Sequence, residues 1–250
     1  MGACELRKVY LDFTGIYADE AGTGADYLDM REIRGTDMYC TPEAQEQIRE
    51  KIAGYGPAGL HFFDSGNYHY MSRLFAEMIK EPFGLILFDH HTDMQKPLME
   101  ELLSCGGWAA VLTDSSPALA QILVIGPPAA SMEEIEVSCR DKVMTISEEE
   151  ILAGTWREQL VGWREDLPVY VSIDRDVLDP DYARTNWDQG QLTPDHLGEI
   201  LEEVVSGRRL IGADFCGELS DSSVALFDKQ AARAFNKKTD EKLLGMLMRR

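Results

Sequence analysis

Short apolar runs alternate with helix signals along this chain, and this alternation restricts its possible folds more than any other feature. The runs predict strands at 8–12, 59–63, 84–88, 121–125, 142–146, 169–173 and 210–213. Capping residues and amphipathic spacing predict helices at 41–53, 70–80, 97–104, 147–163, 193–205 and 225–250, while residues 16–40 predict a long loop with room for one short strand. Strands separated by helices are typical of one parallel sheet covered on both faces. The 250 residues show no repeat or linker, so we expect a single domain, 1–250.

Composition excludes several classes of partner. The formal net charge of −20 argues against binding to nucleic acid or to anionic membranes. The sequence has no apolar run long enough to span a bilayer and no charged-then-apolar signal at its start, so we expect a cytoplasmic protein. Its five cysteines are scattered without a CxxC pair, which predicts reduced thiols rather than a disulfide framework or a zinc cluster.

The segment 169–180, VYVSIDRDVLDP, combines a buried-strand pattern with a cluster of acids. Residues two apart on a strand point the same way, so Asp174 and Asp176 would direct two carboxylates at one spot. Crowded carboxylates repel each other and lose solvation unless a cation lies between them, and a divalent metal would supply that charge. The alternative is a polar turn capped by acids.

Other strand ends carry similar side chains, and carboxyl ends of parallel strands are where working residues collect. Residues 89–93 read DHHTD, and alternation would place Asp89, His91 and Asp93 on one side. Together with His69, Asp174 and Asp176 they make four carboxylates and two histidines. This oxygen-rich set suits two Mn²⁺-type ions with shared carboxylates better than one structural zinc.

These motifs resemble those of the ureohydrolases, which include arginase, agmatinase and formiminoglutamase. DHHTD is similar to DAHxD, SIDRDVLDP matches SxDxDxxDP, and SGNYHYMS resembles the upstream GGDHS element with His69 at the ligand position. The resemblance covers the chain to about residue 220. It implies the arginase/deacetylase fold, a three-layer α/β/α sandwich around a mainly parallel sheet of about eight strands.

The same resemblance implies a binuclear manganese site, although nickel or another divalent metal would fit the ligand types. One ion would take His69, Asp89, Asp93 and Asp174, and the other His91, Asp176 and the shared Asp89 and Asp174. A hydroxide bridging the two ions would attack the carbon of a guanidino, formimino or ureido group. Asp93 would collect the hydroxide's proton and pass it to the departing amine. We expect a small-molecule substrate, cationic or planar, and a homo-oligomer, as is common in the family.

The sequence departs from the family pattern where the substrate would be held. The family's substrate-pairing acid aligns with Gly217, which leaves Glu218, one residue later, as the catalytic candidate if the loop bulges. No histidine follows DHHTD until His196, so Gln95 or Asn186 would have to replace the family's contacts. Two aromatic side chains, Tyr68 and Trp187, are expected to flank and narrow the site.

Three functions therefore compete. The first is two-metal hydrolysis of a linear C–N bond in a guanidino, formimino or ureido compound. The second is metal-dependent deacylation of an amide, because deacetylases share the fold, although their sites are typically mononuclear. The third is a non-catalytic family member that keeps the metals. The pair Asp174 and Asp176 favours the first function over the second, and the complete ligand set argues against the third.

Overall fold

The structure is a computed structural model, which describes residues 7–96, 99, 101–133, 135, 137–221 and 223–248. In this part of the chain the strands are β1 Lys8–Asp12, β2 Asp26–Asp29, β3 Tyr39–Cys40, β4 Gly59–Phe63, β5 Phe83–Phe88, β6 Leu103–Ser104, β7 Leu119–Ile125, β8 Val143–Ile146, β9 Val169–Asp174 and β10 Leu210–Cys216. The helices are α1 Pro42–Ile52, α2 Met71–Ala76, α3 Trp108–Ser115, α4 Ala129–Met132, α5 Glu148–Ala153, α6 Pro194–Val205 and α7 Leu226–Leu247.

One eight-stranded sheet forms the centre of the molecule, in the order β2-β1-β4-β10-β9-β5-β7-β8. Every neighbouring pair in it runs parallel. The central strands β5 and β9 are buried along their whole length, because helices cover both faces. A separate antiparallel pair joins β3 to β6, with Tyr39 opposite Ser104.

Two apolar cores lie on opposite faces of the sheet. One contains side chains of α1, α2 and α3, such as Ile48, Phe75 and Trp108. The other contains side chains of α6 and α7, such as Leu197 and Leu243. Helices on both faces of a mainly parallel sheet make a three-layer α/β/α sandwich, so the predicted fold class is confirmed.

Most predicted elements are present, and the errors have local causes. The helix predicted at 147–163 ends at Ala153, because Gly154 adopts a left-handed conformation with φ 73°. The helix predicted at 70–80 is only Met71–Ala76, and α3 was not predicted at all. Of the helix predicted at 97–104, residues 97, 98 and 100 lie outside the described residues and residues 103–104 form β6. The predicted loop 16–40 contains two short strands, β2 and β3.

Two predictions from composition can also be compared with the structure. Among the described residues, Cys40, Cys105, Cys139 and Cys216 are free thiols, whereas Cys4 lies outside them. No helix in the described part of the chain has the length and apolar character needed to cross a membrane.

Candidate metal centre

Three strands bring the predicted ligands to one edge of the sheet. His69 follows β4 through a short 3₁₀ turn, Asp89 comes directly after β5, and Asp174 is the last residue of β9. These strands run parallel near the centre of the sheet, so their carboxyl ends meet at the same edge. Asp176 lies on a 3₁₀ turn after β9 rather than on the strand itself.

A first group of ligand atoms surrounds the imidazole of His69. Its Nδ1 atom lies 3.1 Å from Oδ2 of Asp89, 2.9 Å from Oδ2 of Asp93 and 3.5 Å from Oδ2 of Asp174. All four residues are buried. One ligand atom each from His69, Asp89 and Asp174 lie within 4.8 Å of one another, which is close enough for a single ion to contact all three.

A second group adjoins the first and shares Asp89 with it. Nδ1 of His91 lies 3.1 Å from Oδ2 of Asp176 and 3.5 Å from Oδ1 of Asp89. Ligand atoms of Asp89, His91 and Asp176 again lie within 4.8 Å of one another. Asp89 therefore directs one oxygen towards His69 and the other towards His91. A carboxylate placed in this way can contact two ions at once.

The charges in the two groups are unbalanced without a cation. Burial and the neighbouring Asp176 raise the pKa of Asp174 to about 8, and burial and Asp89 raise the pKa of Asp176 to about 6. Burial alone would lower the pKa values of His69 and His91, but the surrounding aspartates outweigh it and raise both. Without metal, these groups therefore tend to keep their protons. Bound divalent ions would neutralise the carboxylates in place of those protons. The donor set, rich in buried oxygen atoms, fits two such ions.

Contacts behind His69 fix the orientation of its ring. The Ser172 hydroxyl donates to Oδ1 of Asp214 at 2.7 Å and lies 2.9 Å from Nε2 of His69. Since the hydroxyl proton points to Asp214, Ser172 can only accept from Nε2–H of His69. With Nε2 held as the donor, Nδ1 is the atom that faces the aspartates, and loss of its proton would leave the lone pair that a metal ligand requires.

Backbone amides and one indole hold the carboxylates. The amide of His91 donates to Oδ1 of Asp89 at 2.6 Å, and the amide of Asp176 donates to Oδ1 of Asp174 at 3.1 Å. Asp93 has a left-handed backbone with φ 50°, and Nε1 of Trp108 donates to its Oδ2 atom at 2.5 Å. The contact of Trp108 with Asp93 was not predicted, because α3 was not predicted.

A pocket of about 180 Å³ opens above the two groups. Apart from the six candidate ligands, its walls are formed by Met38, Tyr39, Gly66, Gln95, Ser104, Cys105, Gly106 and Trp187. Trp187 thus flanks the site as expected. Gln95 also lines the pocket, and its contact with a substrate stays a prediction. The expectation for Tyr68 is wrong, because that ring is buried and stacks on Phe13 with 4.1 Å between centroids. Oδ1 of Asn186 accepts from the amides of Ser220 and Asp221 instead of facing the pocket.

Glu218 lies apart from this pocket. Its carboxylate accepts from Nδ2 of Asn236 at 2.8 Å and from the Tyr17 hydroxyl at 3.3 Å, and it lies 3.6 Å from Nη2 of Arg175. The preceding Gly217 has φ 88°, and a Cβ atom there would lie 2.2 Å from Oδ1 of Asp174. Position 217, where the family's acid aligns, thus has no space for a side chain.

The remaining histidines have structural surroundings. His61 is fully buried against Phe75, and burial lowers its pKa to about 3. His196 caps α6, where its Nδ1 atom accepts from the amide of Thr193. His90 does not line the pocket, and its backbone amide donates to Oδ1 of Asp176.

Comparisons with known proteins agree with this geometry. The model of the Arginase family matches residues 59–220. An uncharacterized protein from Thermotoga maritima is 30% identical over 210 residues, which are 83% of this chain and 78% of that protein.

Among solved structures, arginase from Bacillus subtilis superposes with a TM-score of 0.62 at 14% identity, covering 96% of this chain and 98% of the other. Agmatine ureohydrolase from Thermoplasma volcanium gives 0.61 at 17%, and formimidoylglutamase from Bacillus subtilis gives 0.62 at 13%; each comparison covers 99% of this chain and 90% of the other.

Proposed function

Because the chain belongs to the arginase family, we propose that it is a binuclear manganese hydrolase that cleaves a linear C–N bond in a guanidino, formimino or ureido compound. The observation that carries this proposal is the pair of adjacent ligand groups that share Asp89. A deacylase that binds a single ion requires only one ligand group, so the second group, with His91 and Asp176, supports the two-metal hydrolase.

In this proposal two overlapping sets of residues would hold the ions. His69, Asp89, Asp93 and Asp174 would hold the first, and His91 and Asp176, with the shared Asp89 and Asp174, would hold the second. Manganese prefers carboxylate oxygens with some imidazole, and this mixture supports Mn²⁺ over zinc, with nickel as another possible occupant. When bound, such a pair of ions activates water as a nucleophile and polarises the substrate.

Asp93 is the residue that we propose moves the proton. Its Oδ2 atom is held between Nε1 of Trp108 and Nδ1 of His69, so the carboxylate is fixed at the floor of the pocket. In hydrolysis, water adds to the carbon, the C–N bond breaks, and a proton passes from the water to the departing nitrogen. Asp93 would accept that proton from the water and donate it to the departing nitrogen. Glu218 receives no role in this scheme, since its carboxylate contacts Asn236 and Tyr17.

The test begins with metal content. Protein prepared with manganese should contain close to two Mn²⁺ per chain, and both Asp174→Ala and Asp176→Ala should lose metal. Asp181→Ala, which changes an exposed acid in the loop after β9, is the matched control and should retain the full content. A single zinc held equally well by Asp176→Ala would overturn the binuclear assignment.

Activity is then measured as release of urea or ammonia from a panel of guanidino, formimino, ureido and amide compounds. Turnover of a C–N compound that depends on manganese and is lost in Asp93→Asn would support the proposal. Turnover confined to amides would instead favour the deacylase. The homo-oligomeric state and the cytoplasmic location stay predictions.

A further inference from the structure

Among the residues that the structure describes, the pocket above the candidate metal centre offers a substrate no charged side chain beyond the metal ligands. Its eight other lining residues include no lysine, arginine or further acid. A substrate carboxylate buried without a cation, or an ammonium without an anion, loses hydration that nothing replaces. These walls therefore disfavour substrates with charged tails.

Three acids near the candidate site, Asp37, Asp188 and Glu218, do not line this pocket. Glu218 faces Arg175 and Asn236 in a separate cavity, and Gly217 excludes a side chain at the preceding position. Asp188 is highly exposed, and its Oδ1 atom lies 3.2 Å from Nε2 of His91, on the side of the ring away from Nδ1. Apart from the candidate metal ligands, the described residues thus offer an amino group in the substrate's tail no buried partner of opposite charge.

Met38, Tyr39 and Trp187 form the mainly apolar part of the pocket wall, which we call the rim, and hydrogen bonds hold it in place. Nε1 of Trp187 donates to Oδ1 of Asn67 at 2.9 Å, and Nδ2 of Asn67 donates to Oδ1 of Asp37 at 2.7 Å. Asn67 therefore links the Trp187 wall to the segment that carries Met38 and Tyr39. A rim that is fixed before the ligand arrives binds with less loss of conformational entropy.

Backbone strain at Met38 supports a binding role for this rim. Met38 has φ 58°, a conformation that an L-residue other than glycine adopts at a cost. Its carbonyl accepts from the amide of Cys105 at 2.9 Å, which ties the residue to the segment after β6 that also lines the pocket. The strain places a methionine side chain, 37% exposed, at the mouth. Methionine and tryptophan provide adaptable apolar surface for a ligand.

We propose that the substrate is a small compound in which an uncharged, apolar group is attached to the C–N unit, and that it is not an amino acid or an amine. This inference rests on the proposed function and specifies its substrate class. The volume of about 180 Å³ is below the roughly 300–1,000 Å³ of pockets that bind drug-sized ligands, so the apolar group is short. The apolar group lies between Trp187 and Met38, and the C–N unit faces the metal ligands.

Three ureas that share a headgroup and differ in tail charge test the proposal. Manganese-loaded protein is titrated calorimetrically with butylurea, which is neutral, with 3-ureidopropionate, which is an anion, and with 2-aminoethylurea, which is a cation. Butylurea should bind at least about tenfold tighter than either charged compound, because only its tail is free of an unpaired charge. Equal or tighter binding of a charged urea, or no binding of any of the three, would overturn the inference.

Substitutions at the rim test whether it binds the apolar tail of butylurea. Trp187→Ala should weaken butylurea binding about tenfold, and Asn67→Ala should weaken it while leaving the apolar side chains present. Phe227→Ala removes an aromatic that is 79% exposed on α7 and lines no part of this pocket, so its binding should match the parent protein. Unchanged binding in Trp187→Ala would contradict the assignment.

Binding and turnover separate the two proposals. If butylurea binds selectively but no C–N compound in the panel is hydrolysed, the substrate class stands as a ligand class and the proposed hydrolase function fails. If guanidino or ureido compounds with a charged tail are hydrolysed with a lower KM than those with an uncharged tail, the hydrolase function stands and the inferred substrate class fails.

Discussion

Arg175 lies fully buried between two acids, next to the candidate ligands Asp174 and Asp176 in sequence. Its Nε and Nη2 atoms each donate to the carboxylate of Asp240 at 2.8 Å, and Glu218 lies 3.6 Å from Nη2. One cation therefore neutralises two carboxylates and fastens α7 to the turn after β9. We expect Arg175→Met, which keeps much of the side-chain volume, to destabilise the protein strongly.

The size of the effect follows from what the substitution leaves behind. Without Arg175, buried Asp240 and Glu218 lose the cation that contacts them both, since Arg233 in the same cavity pairs with Asp19 and Glu20 instead. Breaking a buried ion pair costs about 3–5 kcal/mol of the free energy of unfolding. Asp240→Asn leaves Arg175 beside Glu218, so it should cost less, about 1–3 kcal/mol. For a chain of this length, a loss of 3–5 kcal/mol corresponds to a fall of about 6–20 °C in Tm.

Urea unfolding of metal-free protein, followed by circular dichroism, measures these differences. Arg164→Met is the matched control, because it breaks an exposed ion pair with Asp166 and should leave the unfolding midpoint unchanged. A loss below about 1 kcal/mol for Arg175→Met would refute the reasoning from buried charge. A larger loss for Asp240→Asn than for Arg175→Met would refute the inferred order of the two effects.

Three further predictions concern the metal centre. Ser172→Ala removes the hydroxyl between His69 and Asp214, so equilibrium dialysis should show manganese affinity lowered about tenfold while the protein stays folded. Gly217→Ala should cost about 1–3 kcal/mol in urea unfolding and lose metal, because its Cβ would meet Asp174; an unchanged metal content would count against this close contact. At pH 7, Asp174 with its pKa raised to about 8 is mostly protonated without metal, so manganese binding should release protons and tighten as pH rises from about 6 to 8. Calorimetry in buffers of different ionisation enthalpy detects that release, and a pH-independent affinity would contradict it.

Much of the fold could be read from the sequence because its signals are local. The strand Gly59–Phe63 and the helix Pro42–Ile52 follow directly from apolar runs, an N-cap and a proline. The helix α3 was missed because Trp108–Ser115 is buried on most sides and lacks an amphipathic period or a capping side chain. Errors of this kind arise where tertiary packing, rather than local preference, determines the structure.

The candidate site divides in the same way. The spacing within DHHTD and SIDRDVLDP indicated which carboxylates would meet, and the structure places them together. Contacts between distant segments gave no such signal. The indole of Trp108 on Asp93 and the enclosure of Glu218 by Asn236 both depend on how the helices pack against the sheet. Spacing along a chain cannot reveal contacts of this kind.

The strand order has a consequence for how the protein folds. The strand β9 lies between β5 and β10, so Gly84 pairs with Val169 and every central pairing joins segments far apart in sequence. Such non-local pairing slows folding, because long loops must close before any contact stabilises them. As the chain is synthesised, His69 and Asp89 emerge well before Asp174. If the chain binds two metal ions as proposed, their capture would therefore follow closure of the sheet and would not guide its assembly.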